Sequence, residues 1–266
     1  MESYLKRSYQ KLLRYQKRGF LLYKEWQSDN DIDDLAASAH TKSSASSSNP
    51  LQTYFDSHTE GRGIWKWQHY FEIYHRHFSK FIGQEVHVLE VGVYSGGSLE
   101  MWKQYFGAKC RIYGVDIEEA CKEYADDSVE IFIGDQADRN FWTRFKKEVP
   151  LLDIIIDDGG HEVRQQMVTL EEMLPHLRSG GVYLCEDVEG TFNPFAGYLN
   201  GLSLNLHTSR PSANWRSDRL ACSPTQFQNS VHSVHLYPFV AVIEKSESPV
   251  NEFVCPKHGT EWQPFF

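Results

Sequence analysis

Little in this sequence points to a membrane, to nucleic acid or to disulfide chemistry. No apolar run in its 266 residues approaches the roughly 18 needed to span a bilayer. The opening stretch, MESYLKRSYQKLLRYQKRGF, has no continuous apolar segment of the kind a secretory signal requires. Basic residues are the scarcer charge, 27 against 36 acidic ones, for a net charge of −9. Binding to a nucleic-acid backbone rests on Lys and Arg neutralising phosphates, so such a polymer is not the expected partner. Cysteine is sparse: Cys110, Cys121, Cys185, Cys222 and Cys255 lie far apart with no CxxC pair. That spacing argues against a zinc ribbon, and an odd count of scattered thiols fits a reduced, cytoplasmic setting. The GxGxxG of nicotinamide-binding folds is also missing, which disfavours a dehydrogenase.

What is present divides into three parts. Residues 1–27 are locally basic, with Leu5, Tyr9, Leu12, Leu13, Phe20 and Tyr23 at roughly helical spacing. They are expected to form an amphipathic helix that docks on its own fold or on a partner subunit, or else lies on a membrane surface. Residues 28–50 hold Asp29, Asp31, Asp33 and Asp34 and then TKSSASSSNP. That composition reads as a linker, because it buries too little apolar surface to offset its ordering entropy. From residue 51 to 266 the composition is that of a globular domain, and 41% of the whole chain is apolar, enough for a large core. Trp65, Trp67, Tyr70, Phe71, Tyr74 and Phe78 predict a helix leading into the first strand, and their density makes a homo-oligomer plausible.

Beyond residue 84 apolar strands alternate with helices. The expected strands are 86–91, 111–116, 129–135, 151–158 and 182–187, with helices at 98–106, after 116, at 138–147 and at 163–178, the last ended by Gly180 and Gly181. Such alternation implies a mainly parallel sheet covered on both faces. Strands 231–237 and 239–245 are joined too tightly at Pro238 for a crossover, so they must run antiparallel. Five β/α steps and a closing hairpin predict an α/β, Rossmann-like, seven-stranded sheet with an antiparallel last strand, the layout of class I methyltransferases.

Two motifs carry chemistry. The first is Glu90-Val-Gly92-Val-Tyr94-Ser95-Gly96-Gly97-Ser98, at the carboxyl end of strand one, where ligands of open α/β sheets bind. Its glycines let the backbone turn tightly and approach a ligand closely. Asp116 ends strand two, where an acid can accept ribose hydroxyls, and Gly134-Asp135-Gln136 ends strand three, within reach of an adenine amino group. Signals on three successive strand ends, without a pyrophosphate loop, favour S-adenosylmethionine. The expected cofactor set is Glu90, Gly92, Tyr94, Ser95, Gly96, Gly97, Ser98, Asp116, Asp135, Gln136 and Asp157.

The second motif is Asp157-Asp158-Gly159-Gly160-His161, ending strand four, with Glu186-Asp187 ending the adjacent strand five. Carboxylates this close repel and raise one another's pKa unless a cation joins them. Oxygen ligands favour Mg²⁺ or another hard divalent ion, with Asp158, Glu186 and Asp187 as the expected ligands. The competing reading is a helix cap with solvated acids. His161, three residues beyond Asp158, is the expected general base, and Asp158 shares the catalytic assignment. Glu171 and Glu172 read as a solvated helix face, His69, His75 and His77 as pocket-lining or packed groups, and His232 and His235 as structural.

The segments VLEVGVYSGGSLEMWKQYF, YGVDI, IGDQAD, IDDGGH, GGVYLCEDV and HLYPFVAVIEK resemble the antibiotic-tailoring O-methyltransferases of macrolide sugars and the related cephalosporin hydroxylase-like family. The likeness runs over roughly residues 65–245. It implies an S-adenosylmethionine-dependent O-methyltransferase in which Asp158 and Asp187 bind Mg²⁺, Glu186 is a further ligand or a group behind the ligands, and His161 is the base. The segment 188–229 matches nothing in those families and is expected to cover the acceptor, a small hydroxylated molecule. Macrolide-sugar enzymes carry a longer N-terminal part, and Glu72 or His75 are the counterparts here of an acid that some of them place before strand one. Two rivals use the same residues: an iron-dependent oxygenase or hydroxylase component, and a S-adenosylmethionine-binding module without catalysis.

Overall fold

The computed structural model describes residues 6–7, 9–18, 49–190, 192–208 and 219–261. The chain divides into two compact units, Met1–Ser47 and Ser48–Phe266. In the first, residues 9–18 are helical and mostly exposed. The linker expected at 28–50 lies outside the described residues up to position 48. Its last two residues start a helix instead: the Asn49 side chain accepts from the Leu51 amide at 3.0 Å, and Pro50 takes the first helical position.

The second unit begins with α1 (Pro50–Ser57) and α2 (Tyr70–Phe78). Then come β1 (Val86–Val91), α3 (Gly97–Phe106), β2 (Cys110–Asp116), a 3₁₀ segment (Glu119–Tyr124), β3 (Val129–Ile133), α4 (Arg139–Glu148), β4 (Leu152–Asp157), α5 (Val163–Met173) and β5 (Leu177–Cys185). After α6 (Pro194–Ser203), β6 (Arg219–Cys222) and α7 (Gln226–Ser230), the chain closes with β7 (Val231–Tyr237), β8 (Val240–Lys245) and β9 (Phe253–Pro256).

Seven strands form one sheet in the order β3-β2-β1-β4-β5-β8-β7, and β6 pairs with β9 in a separate ribbon. The first five are parallel, whereas β8 runs antiparallel to both β5 and β7. The antiparallel strand is therefore the last of the sheet in sequence but sits one place in from the edge. Side chains alternate across the pleat. Ile154 and Ile156 of β4 enter the core beneath α1, α2 and α3, while Ile155 enters the core beneath α4, α5 and α6.

Three expectations change. The helix expected over 163–178 stops at Met173, because Pro175 has no amide to continue the ladder; a 3₁₀ turn follows, and Leu177 already pairs with Leu152. The aromatic helix starts only at Tyr70, leaving Trp65 and Trp67 on non-helical chain. The segment after β2 is 3₁₀ rather than α. Among the described residues of 188–229, those from Glu189 to Pro194 line a groove, while Phe195 and Leu199 of α6 are buried in the core.

Candidate active site

The loops after β1 to β5 enclose a single cavity of about 960 Å³. Gly92, Tyr94, Ser95 and Ser98 line it after β1, Asp116 after β2, Asp135 and Gln136 after β3, Asp158 and His161 after β4, and Glu186 and Asp187 after β5. The N-terminal approach Gly63–Trp67 and Tyr70 complete the wall.

The glycine loop is shaped by contacts within the chain as much as by space for a ligand. Gly92 has φ +90°, and a Cβ there would lie 1.9 Å from the Asp158 carbonyl oxygen. That residue can only be glycine if the β1 and β4 loops are to touch. A Cβ on Gly97 would meet the Arg62 and Gly63 carbonyls at 2.4 Å, so this turn seats the incoming 62–64 chain. Asp116 Oδ2 accepts the Val93 and Tyr94 amides at 2.9 and 3.0 Å and holds the loop in register.

Several residues expected to bind cofactor stand behind the cavity wall. Glu90 is fully buried and accepts from Ser98 Oγ at 2.9 Å and Trp102 Nε1 at 3.0 Å. Asp157 accepts from Gln136 Nε2 at 3.0 Å and Tyr183 Oη at 2.9 Å. Burial pushes its carboxyl up to about 6 against the pull of those donors. Gln136, which does line the cavity, also accepts the Gly160 amide on its Oε1 at 2.7 Å and so joins the β3 and β4 loops. Like Glu90 and Asp157, Gly96 and Gly97 are outside the lining. A helical or strand-end position fixes which loop a residue is on, but not which way its side chain turns.

The rim at β4 and β5 contains a group that the sequence reading passed over. The Lys66 ammonium is ion-paired to Asp158 and lies 2.9 Å from Glu186 Oε2, its side chain only 4% exposed. Tyr74 Oη donates to Glu186 Oε1 at 2.7 Å. Burial alone would lower the Lys66 pKa, but Asp158, Glu186 and Glu90 outweigh it and hold the ammonium charged. Burial pushes Glu186 up to about 8, helped by the Asp158 charge and opposed by Lys66 and Tyr74.

Asp187 faces a different set. Its Oδ1 accepts from Tyr70 Oη at 2.6 Å and Trp67 Nε1 at 3.2 Å, and its Oδ2 lies 3.6 Å from His161 Nε2. Burial and the bond to Asp187 keep the Tyr70 phenol protonated far above its usual range. His161 and Asp187 both hold positive φ, +57° and +52°, as does Tyr94 at +49°. Left-handed backbone on non-glycine residues costs about 1–3 kcal/mol each and concentrates at sites that need exact aim.

The residues fit a divalent ion. Asp158, His161 and Asp187 each offer one ligand atom, all within 4.8 Å of one another. The charge also fits: the rim gathers more carboxylates than the one lysine that meets them. Glu186 is already engaged by Lys66 and Tyr74. His69, His75 and His77 bond to Pro238, Tyr105 and Glu244 instead of lining the cavity.

A family model described as a methyltransferase domain matches residues 89–188, the span that holds both motifs. The chain carries a methyltransferase domain. Mycinamicin VI 2''-O-methyltransferase of Micromonospora griseorubida is 33% identical over 198 residues, covering 66% of this chain and 47% of that protein. Demethylmacrocin O-methyltransferase of Streptomyces fradiae is also 33% identical, over 65% of this chain and 47% of its own length. Among solved structures, the MycE methyltransferase from the mycinamycin biosynthetic pathway, in complex with Mg and SAH, aligns with a TM-score of 0.59. It is 29% identical over 74% of this chain and 54% of that one. The chain thus spans about half the length of the curated relatives it matches.

Lys66, Trp67, Tyr70 and Tyr74 belong to the candidate site, and sequence reasoning missed them. One signal was available: Lys66 sits between Trp65 and Trp67 in a segment otherwise rich in aromatics. A lone cation in such surroundings needs a carboxylate partner when it is buried.

Proposed function

We propose that the protein transfers the methyl group of S-adenosylmethionine to a hydroxyl of a small natural product, with a divalent ion at Asp158 and Asp187. The observation that carries this reading is the single cavity that joins the glycine-loop end of the sheet to the carboxylate rim. Donor and acceptor sites need to share one space, because the acceptor oxygen must approach the methyl carbon in line. The Mg- and SAH-bound MycE neighbour and the sugar O-methyltransferase relatives support the same pairing.

The methyl is already activated on its sulfonium, so much of the work is positioning. Holding two reactants in line supplies up to about 7–11 kcal/mol in favourable model systems. Gly92 and Ser95 flank the cofactor end of the space, and Asp116 fixes their loop. At the other end Asp158 and Asp187 would hold Mg²⁺, which lowers the pKa of a bound hydroxyl. Lys66 neutralises Glu186 behind them. His161 Nε2, 3.6 Å from Asp187 and partly exposed, is the group that takes the hydroxyl proton. Asp187 steadies the imidazolium that results.

The mouth favours an acceptor with an apolar body. Trp65 is 87% exposed, Tyr94 72% and Phe192 77%. Trp65 and Tyr94 line the main cavity, and Phe192 lines the adjoining groove beside His161 and Glu189. Flat aromatic faces around a polar rim suit a hydroxylated, glycosylated aglycone.

Calorimetric titration of S-adenosylmethionine, with and without Mg²⁺, tests the reading on wild type and Asp158→Asn, followed by an acceptor screen by mass spectrometry. Asp158→Asn should lose Mg²⁺ binding and about 10²-fold or more in turnover while keeping cofactor affinity within a few-fold. An absence of cofactor binding in the wild type would end the proposal.

A further inference from the structure

A second group of ligand-type side chains lies apart from the cavity, where α2 packs on the β7–β8 hairpin. His77 comes from the last turn of α2, His235 from β7 and Glu244 from β8. Glu244 pairs with Ser233, so His235, two residues further along, is its diagonal neighbour on the same face of the hairpin. His77 projects onto that face from above: its Nδ1 is 2.8 Å from Glu244 Oε1. His235 Nε2 is 3.8 Å from Glu244 Oε2, and the two imidazole rings have centroids 4.8 Å apart. One ligand atom from each residue falls within 4.8 Å of the others. None of the three lines the main cavity.

We propose that His77, His235 and Glu244 form a binding site for a transition-metal dication of the zinc type, separate from the rim of the methyltransferase cavity. Two imidazole nitrogens and one carboxylate oxygen are a donor set for zinc rather than for Mg²⁺ or Ca²⁺, which take oxygen. Tetrahedral zinc with bonds of about 2.0–2.1 Å needs ligand atoms about 3.3 Å apart, so the spacings above close by small side-chain shifts. The orientation is already set from behind. His77 Nε2 lies 2.9 Å from Tyr237 Oη, a hydroxyl oxygen that can accept a hydrogen bond from the Nε2–H and leave Nδ1 free to coordinate. His235 Nε2 lies 2.9 Å from Ser233 Oγ, which a metal would displace. His77 is 3% exposed while His235 is 38% exposed, so the site is walled on one side and open to solvent on the other. Burial lowers the His77 pKa, which favours the neutral, metal-binding imidazole. The fourth position is left for water.

Bound there, the ion would tie the end of α2 to the hairpin. Tyr70 and Tyr74, which hold Asp187 and Glu186, lie on the same helix. The ion would therefore stiffen the mount of the rim without touching substrate.

The test is zinc titration of the full chain, stripped with a chelator, in competition with a chromophoric indicator, with Co²⁺ as a spectroscopic probe. A double variant, Asp158→Asn with Asp187→Asn, silences the rim. It should still bind a single equivalent of zinc, and Co²⁺ should give the intense visible absorption of a four-coordinate site. His77→Gln and His235→Gln in that background should abolish the equivalent, and Tyr237→Phe should weaken it about tenfold. His235→Gln leaves the His77–Glu244 contact in place, so it remains a fair test if His77→Gln folds poorly by circular dichroism. Zinc should also raise the melting temperature of the double variant but not of its His235→Gln derivative. Absence of zinc binding, unchanged affinity in His235→Gln, or loss of the equivalent in the rim double variant would overturn the proposal.

Discussion

Two positions decide how the rim is built. Lys66 holds Asp158 and Glu186 together from 92 and 120 residues away in the chain. Removing one partner of a buried ion pair costs about 3–5 kcal/mol, because a buried charge is left uncompensated. Lys66→Met should lower unfolding stability by that order in denaturant titrations; an unchanged midpoint would show that the pair contributes nothing. The second position is Gly92, where a conformational cost and a collision can be separated. Gly92→Ala meets both φ +90° and the Asp158 carbonyl, whereas Gly107→Ala has φ +93° with nothing within 4 Å of the added carbon. Gly107→Ala should cost about 1–2 kcal/mol. Gly92→Ala should cost clearly more and also weaken cofactor binding. Equal losses in the two variants would mean that the loop contact is not tight. That acids gather at the ends of β4 and β5 was legible in the sequence, because a strand-end position fixes the loop a residue belongs to. Lys66 was not, because its partners are fixed by tertiary packing. The turning of Glu90 and Asp157 into the wall was hidden for the same reason: their donors Trp102 and Tyr183 come from other elements.

At the scale of elements, the strands were legible because buried parallel strands are short, continuous apolar runs, and β1 to β4 fall close to the expected ranges. The two misjudged helices share a cause. Apolar periodicity marks a face, while a helix ends where backbone bonding fails, at Pro175, or begins where it first succeeds, at Tyr70. His176, in the 3₁₀ turn after α5, donates its Nε2 proton to the Val149 carbonyl at 3.0 Å. Burial depresses its pKa below 6.5, so the folded state prefers the neutral ring. An imidazole of this kind supports the fold above pH 6.5, where both states are neutral, and the support fades as pH falls and the unfolded chain takes up a proton more readily. His176→Gln should therefore melt below wild type at pH 8, with the gap narrowing toward pH 5. A constant gap across that range would exclude the linkage.

For the whole molecule, the sheet order brings the two motifs together at the carboxyl ends of its central strands. β1 pairs with both β2 and β4, and the rim and the glycine loop meet at that junction. The unit Ser48–Phe266 is compact in its own right. A chain lacking residues 1–47 should therefore keep its melting temperature and its affinity for S-adenosylmethionine within about twofold, as read by differential scanning fluorimetry and calorimetry. Loss of either would assign the basic helix a part in building the site.

The ammonium tethered at position 66 has one more consequence. Because part of the rim's counter-charge is covalently carried by the polypeptide, leaving the ion out does not leave the acids to push one another apart. Withholding Mg²⁺ alone should silence turnover yet barely move the unfolding curve. Scarcity of the dication would then idle the protein rather than expose it to proteolysis, and supply of the metal would govern catalytic output without changing how many molecules survive.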